Sequence, residues 1–366
     1  MKNNNFEFCN VELTALTPVH IGDGTILNKK DIYTVEGKDG TKIFINDQIK
    51  LYDYFVGQGK EEEFIQYLLN TDSKGIKEVF NVTPELYKKE QLAKYILSYG
   101  DKGKINNIHA FIKDAYDKPY IPGSSLKGMI KSAILVYKLS QDSQLQHSIK
   151  EEILKESKKD KMDFKDIDEK ISSIFDKKFA NDCEVKAFSG VVVSDSSPIP
   201  ISQLQLVKKI DYKLPRNIYQ INNLGDYKNE FKELPTYKEV LRKLTKTNFF
   251  IKIDKDKLNL DLNYIKEALN YNQGLVHKYF YKEFEVKEFE KGVAHLGGGV
   301  GFTSKTILYQ LFGDDAKDLV YKIIMSQIDN RASHKPFKDI LTPHVLKGYT
   351  KNLKEEMGRV RLIFKD

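Results

Sequence analysis

His295-Leu-Gly-Gly-Gly-Val-Gly-Phe-Thr-Ser-Lys-Thr306 places four glycines, hydroxyl side chains and a lysine directly after a long helical pattern. A loop of this kind can lay its backbone N–H groups against phosphate. Two nucleotide-binding fingerprints nearly fit it, and both fail. A Walker A loop needs a glycine immediately before its lysine, and Ser304 stands there before Lys305. A Gly-x-Gly-x-x-Gly begun at Gly297 or Gly299 meets Phe302 or Ser304 at its third glycine. The loop is therefore suited to a phosphate backbone but lacks the geometry of an ATP or NAD site. Outward from it, strands and helices mix without a regular βαβ period. That predicts an α+β fold rather than a doubly wound parallel sheet.

Residues 6–20 alternate near period two through Phe6, Phe8, Val11, Leu13 and Leu16 with one slip, which predicts a bulged strand. Asp31–Val35 and Lys42–Ile45 flank an Asp39-Gly40 hairpin signal. Residues 46–100 are mostly helical in pattern. Tyr120-Ile-Pro-Gly-Ser-Ser-Leu-Lys-Gly128 predicts a serine-capped loop opening an amphipathic helix through Leu139. Residues 140–180 are highly charged, with helical islands, and read as a solvated insertion or flexible region. Gly190-Val-Val-Val-Ser-Asp195 predicts a buried strand, and Ser196-Ser-Pro-Ile-Pro200 a domain junction. Further strands are expected at Leu204–Ile210, Asn248–Ile253 and Arg359–Phe364, with a helix over Leu262–Tyr281. This divides the chain into an N-terminal domain, 1–200, and a C-terminal domain, 201–366, which holds the glycine-rich loop.

The chain has 366 residues, 40% of them hydrophobic, enough to bury a substantial core, and a charged fraction of 30% without Pro or Gly enrichment argues against wholesale disorder. Lys+Arg 59 against Asp+Glu 52 leaves +7, a mild excess compatible with a nucleic-acid partner. Only five basic residues are arginine, in a chain rich in Asn, Ile, Lys and Tyr, as an AT-rich genome would write it. The lysine count is therefore weak evidence for binding. Cys9 and Cys183 lack metal-ligand spacing and read as reduced thiols of a cytoplasmic protein. No apolar run approaches a membrane span, and no cofactor site is expected.

Three constellations could carry chemistry. A helix opening at Gly123 offers free N–H groups, with Ser124, Ser125 and the lysines Lys127 and Lys131 one turn apart. Its plainer alternative is a capped helix start with a solvated lysine face. At Gly297, Gly298, Gly299 and Gly301, with Phe302 for stacking and Lys305 for phosphate, binding competes with a C-cap turn or with glycines admitting another backbone. His20-Ile-Gly22-Asp-Gly24 sets an imidazole beside a carboxylate. There, His20 as general base or Asp23 with Asp31 as metal ligands would make a ribonuclease. Against that reading, no second carboxylate cluster stands at fixed spacing, so no catalytic or metal residue is assigned.

These motifs resemble the RAMP superfamily of CRISPR-associated proteins. Pro122-Gly-Ser-Ser-Leu-Lys-Gly128 fits the superfamily broadly. Thr17–Gly24, Val192–Ser196, Pro235-Thr-Tyr-Lys-Glu239, Leu296–Thr306 and Pro343–Lys347, in this order, resemble the fifth-subunit family of type III-A Csm effector complexes. The resemblance implies two RRM-like (ferredoxin-like) lobes with glycine-rich loops and a helical insertion. It implies a non-catalytic CRISPR RNA-binding subunit in antiviral defence, capping the complex near the guide 3′ end and supporting guide 3′ maturation. Its partners would be CRISPR RNA, the other Csm subunits, above all the repeated RAMP backbone subunit, and a host nuclease that trims the guide. The glycine loops around Gly123 and Gly297 would contact guide RNA or the neighbouring subunit, with His20 and Gly22 among the RNA-binding residues. The competing expectation is a metal-dependent RAMP endoribonuclease that processes CRISPR RNA.

Overall fold

The computed structural model describes residues 5–71, 74–156, 164–179, 187–213, 230–281, 289–300, 306–327, 345–351 and 355–365. Its first strand, β1 (Phe6–Ala15), buries Cys9, Val11, Leu13 and Ala15 on one face, with Thr14 also buried near its end. The slip in the hydrophobic pattern is not a bulge, because β1 pairs continuously from Phe6↔Asp254 to Thr14↔Lys246. Phe6 and Phe8 instead point outward, out of phase with the buried set.

After β2 (Gly22–Leu27) the chain builds an insertion. The hairpin β3 (Ile32–Gly37) and β4 (Gly40–Asn46) forms as Asp39-Gly40 requires, with Gly40 at φ 116. Four short helices follow, α1 (Gln48–Gly57), α2 (Glu61–Leu69), α3 (Ile76–Phe80) and α4 (Pro84–Lys89). Asp47 and Thr83 cap α1 and α4 by accepting backbone N–H groups. Tyr33, Phe44, Leu51, Phe55, Phe64 and Tyr87 form this insertion's own core, with Tyr33 stacked on Tyr87 at 4.4 Å. The helical pattern ends before residue 100, because β5 (Ala93–Tyr99) joins β4 in a three-stranded sheet.

Next come β6 (Ile108–Phe111), α5 (Gly123–Gln141), α6 (Ser143–Glu156) and α7 (Phe164–Phe179). The charged stretch is helical, but not solvated all round: Leu145, Ile149, Ile153, Ile167, Ile171 and Phe175 join the main core at helical spacing. The remaining elements are β7 (Val191–Val193), β8 (Leu204–Lys213), β9 (Glu230–Leu241), β10 (Lys246–Asp254), α8 (Leu262–Val276), β11 (Val293–His295), α9 (Thr306–Phe312), α10 (Ala316–Gln327), β12 (Val345–Thr350) and β13 (Arg359–Lys365). A π-helical turn, His277–Tyr281, continues α8 over the span the periodicity predicts.

Five strands form the central sheet in the order β11-β13-β1-β10-β7, every neighbouring pair antiparallel. With α5 crossing from β1 to β7 and α8 leaving β10 toward β13, four of these strands follow the ferredoxin-like βαββαβ order. The second sheet, β12-β8-β9-β6-β2, has a different order and one parallel pair, β6 with β9. Both sheets draw strands from each side of residue 200, so the expected 1–200 and 201–366 boundary cuts through both. The segment Ser194–Pro200 is a crossover between sheets, held by Ser196 N–H to Ile121 O at 2.9 Å and Ile199 N–H to Pro119 O at 2.7 Å.

The segment Leu234–Glu239 lies within β9 despite its proline. Ile210 pairs with Glu233 and Lys208 with Tyr237, so Pro235 sits in a register shift where no ladder N–H is needed. Cys9 is buried, its Sγ donating to Lys365 O at 3.2 Å, whereas Cys183 lies outside the described residues. Among the described residues no helix is long and apolar enough to cross a membrane.

Candidate nucleic-acid interface

Three segments far apart in sequence meet at the end of β1. Gly358 N–H donates to Pro18 O at 2.8 Å, Leu296 N–H to Gly358 O at 2.8 Å, and Gly298 N–H to His20 O at 2.7 Å. The glycines make this possible. A Cβ on Gly297, at φ +93, would stand 2.3 Å from His20 O, and one on Gly358, at φ +91, would stand 2.2 Å from Val300 Cγ1. Gly299 faces Met357. Upstream, His295 fastens the loop to α8 through Gln273 Oε1 at 2.9 Å and the Tyr281 hydroxyl. Burial, and then Arg359, hold its imidazole down to about 3.

His20 is a buried pivot. Its Nδ1 donates to Glu239 O at 2.7 Å, leaving Nε2 facing Gly22, where a Cβ would stand 3.0 Å away. Burial, chiefly, and the neighbouring Lys238 push the imidazole down to about 4, so it is neutral at pH 7. The Glu239 side chain, on the core face of β9, accepts from Tyr95 OH at 2.7 Å, Phe111 N–H at 2.7 Å and Lys113 Nζ at 2.6 Å. This buried network ties β5, β6 and β9 together.

Lys238 projects from the opposite face of β9, half-buried, in register with His109 on β6 and Val207 on β8. Burial, then the positive charge of Lys209, lowers its ammonium to about 8. Burial, then Lys238 and Lys209, also lowers His109. Three cationic or protonatable side chains thus crowd one strip of the second sheet.

The start of α5 is a separate place. The helix begins at Gly123 itself, so Ser124 and Ser125 lie in its first turn and no side chain caps it from the preceding residue. Asp195, at the end of β7, does so from across the fold, with Oδ1 accepting Gly123 N–H at 2.7 Å. A Cβ on Gly123 would stand 2.3 Å from Val193 O. Ser124 is exposed and Ser125 half-buried. Burial, then Lys131, lowers Lys127, and Lys131 lies 5.1 Å from the Phe188 ring centroid.

The structure thus gathers His20, Gly22, Gly297, Gly298 and Gly299, while Gly123, Ser124, Ser125, Lys127 and Lys131 stand on another element. Gly301, Phe302 and Lys305 lie outside the described residues. Asp23 Oδ1 accepts Thr25 N–H and Asp31 Oδ2 accepts Asn28 N–H, each at 2.8 Å, so both carboxylates close their own turns. Among the described residues no three His, Cys, Asp or Glu side chains gather as a metal group. Sequence reasoning missed Lys209, His109 and Gly358, which have no motif of their own. Lys238 lay within a quoted motif, and the alternation of β9 was the signal that would have separated it from Glu239.

An α+β fold, its ferredoxin-like sheet braced by glycine-dependent backbone contacts, defines a class. A family model described as "RAMP superfamily" matches residues 12–307, and the chain belongs to that superfamily. Within it, the chain is similar to proteins named "CRISPR system Cms protein Csm5". That of Streptococcus thermophilus is 25% identical over 334 residues, covering 85% of this chain and 83% of the relative. That of Enterococcus italicus is 24% identical, covering 92% and 91%. A chain of a cryo-EM Csm–crRNA–target RNA ternary complex of a type III-A CRISPR-Cas system shares the fold at TM-score 0.64 and 19% identity, covering 97% of this chain and 100% of its own. The crystal structure of T. onnurineus Csm5 does so at TM-score 0.58 and 18% identity, covering 96% and 99%.

Proposed function

We propose that this chain is the Csm5 subunit of a type III-A effector complex and binds CRISPR RNA without cutting it. It caps the assembly near the guide 3′ end, against the repeated RAMP backbone subunit, and supports guide 3′ maturation by a separate host nuclease. The observation that carries this reading is the Lys238–Lys209–His109 strip beside the joined His20 and Gly297 loops. It supplies crowded cations next to segments that resemble the family's signature. Lys127 and Lys131 on α5 extend the same ligand chemistry to a second face. The glycines of both loops act through packing, holding the backbone that frames these cations, with Ser124, Lys305 and Phe302 as further RNA contacts.

A binding role is also favoured over cleavage by the state of His20. An imidazole held at about 4, buried and spent on Glu239 O, is a poor general base at pH 7. The test is a complex reconstituted with Lys209→Ala/Lys238→Ala. The expected outcome is shortened or lost guide 3′ ends and a salt slope reduced by about 0.7 per lysine. Unchanged guide retention would reject the strip as an RNA contact. Mg²⁺-dependent guide cleavage by the purified chain, abolished by Asp23→Ala, would replace the reading with a ribonuclease.

A further inference from the structure

The inner face of the central sheet is sealed by the core that Val11, Leu13, Ile251 and Ile253 share with α5 and α8. Its outer face bears Phe8 at 61% exposure, Phe250 at 58%, Val192 at 53%, Ile363 at 46% and Phe6 at 39%. A solvated sheet face ordinarily alternates to polar side chains, so this row of rings and aliphatics needs a reason. We propose that it is a stacking platform for single-stranded RNA, resting on the reading of the chain as an RNA-binding subunit but lying apart from the Lys238 strip.

The rings occupy the two adjoining strands β1 and β10. Asn10 faces Phe250 and Phe8 faces Lys252, which sets Phe8 and Phe250 on a cross-strand diagonal of roughly 7–8 Å. Lys252, opposite Phe8, leans toward Phe6, its ammonium 3.9 Å from the Phe6 ring centroid and 5.5 Å from that of Phe8. Among the described residues no carboxylate lies within ion-pair distance of Lys252. At the far end of the face, Lys246 and Lys365 share the single carboxylate of Glu12, at 3.1 Å and 2.8 Å. Asp254, opposite Phe6, is engaged by Lys257 at 3.6 Å, so Lys252, Lys246 and Lys365 stand on this face against Glu12 and an already paired Asp254.

That interleaving selects the occupant. A base stacks on a ring regardless of sequence, and each phosphate that joins two bases needs a cation close by. An apolar protein surface would instead bury the Lys252 ammonium without a counter-charge, at a desolvation cost that its contacts would have to offset. A polynucleotide brings the missing negative charge with it.

The experiment uses the full chain and a short fluorescein-labelled oligouridylate, read by anisotropy. Phe8→Ala/Phe250→Ala should weaken binding at least about tenfold, whereas Phe8→Tyr/Phe250→Tyr, which keeps both rings, should bind like the parent. Lys252→Ala should lower the salt slope by about 0.7. Thermal melting of each variant reports folding, and both rings are exposed enough that truncation should leave it unchanged. Parent-like affinity of the alanine pair overturns the platform. So does an alanine pair that binds oligouridylate normally yet no longer copurifies with the other subunits, since that identifies a protein-docking face. If Lys209→Ala/Lys238→Ala loses guide retention while the phenylalanine variants bind normally, the platform fails and the proposed function stands. Loss in the phenylalanine variants alone, with guide retention intact in the lysine variant, keeps the platform and rejects the Lys238 strip as an RNA contact.

Discussion

Lys238 and Glu239 are neighbours on β9 with opposite environments. Glu239 points into the core, fully buried, with its carboxylate taken by a hydroxyl, a backbone N–H and an ammonium. Lys238 points to the other side, half-buried beside Lys209 and His109, with its proton loosened by burial and like charge. Strand alternation alone separates them. The difference teaches that adjacent positions of one strand can hold a charge locked into the core and a charge left at the surface among like charges. Glu239 has its partners supplied by the fold, while Lys238 lies among groups that repel it.

Glu239→Ala is the sharpest way to break the buried side. It strands Lys113, whose side chain is 11% exposed, beside an empty acceptor site. The expected loss is about 3–5 kcal/mol, measured by urea denaturation, with Glu239→Gln milder because it keeps an acceptor. A loss below that of an ordinary surface substitution would show that the network is not a structural hub.

Acid should act next, through His20. Its folded value of about 4 lies below the ordinary 6.5, so the unfolded chain binds more protons between those values. The stabilisation is complete above pH 6.5 and is lost as pH falls through the folded value of about 4. The full effect is about 3 kcal/mol, read as the difference in unfolding free energy between parent and His20→Gln across pH 7 to 4. A pH-independent difference would show that His20 titrates normally and is not sealed.

The smallest effect sharpens the exposed side. Lys238 loses its proton near pH 8, so RNA affinity at low salt should fall as pH rises from 7 to 9. Lys238→Arg should flatten that decline, because guanidinium stays charged. Bound RNA should also shift the decline to higher pH, since a phosphate stabilises the ammonium. An identical profile in the arginine variant would assign the dependence to another group.

Local patterns were legible where one signal dominated. The Asp39-Gly40 hairpin, the amphipathic run opening near Gly123, the helix over Leu262–Tyr281 and the strand Arg359–Phe364 each occupy their expected place. Where two signals competed, pattern alone chose poorly. Phe6 and Phe8 imitated core positions of β1, and Pro235 hid the strand around Tyr237. The charge of residues 140–180 obscured the buried faces of two helices whose helical islands the pattern did mark. Serines at 124 and 125 imitated caps, whereas Asp195 supplies the acceptor from another element.

By itself the sequence determined the α+β class, the period of most elements and the segments that mark the superfamily, because these depend on neighbours a few residues apart. Only the tertiary structure decided that one sheet gathers strands from both ends of the chain. It likewise decided that Gly297 and Gly358 admit neighbouring segments at close range, and that Lys238 meets Lys209 and His109 on one face. Those outcomes depend on pairings between segments hundreds of residues apart, such as β1 with β13, and local periodicity carries no record of register between distant strands.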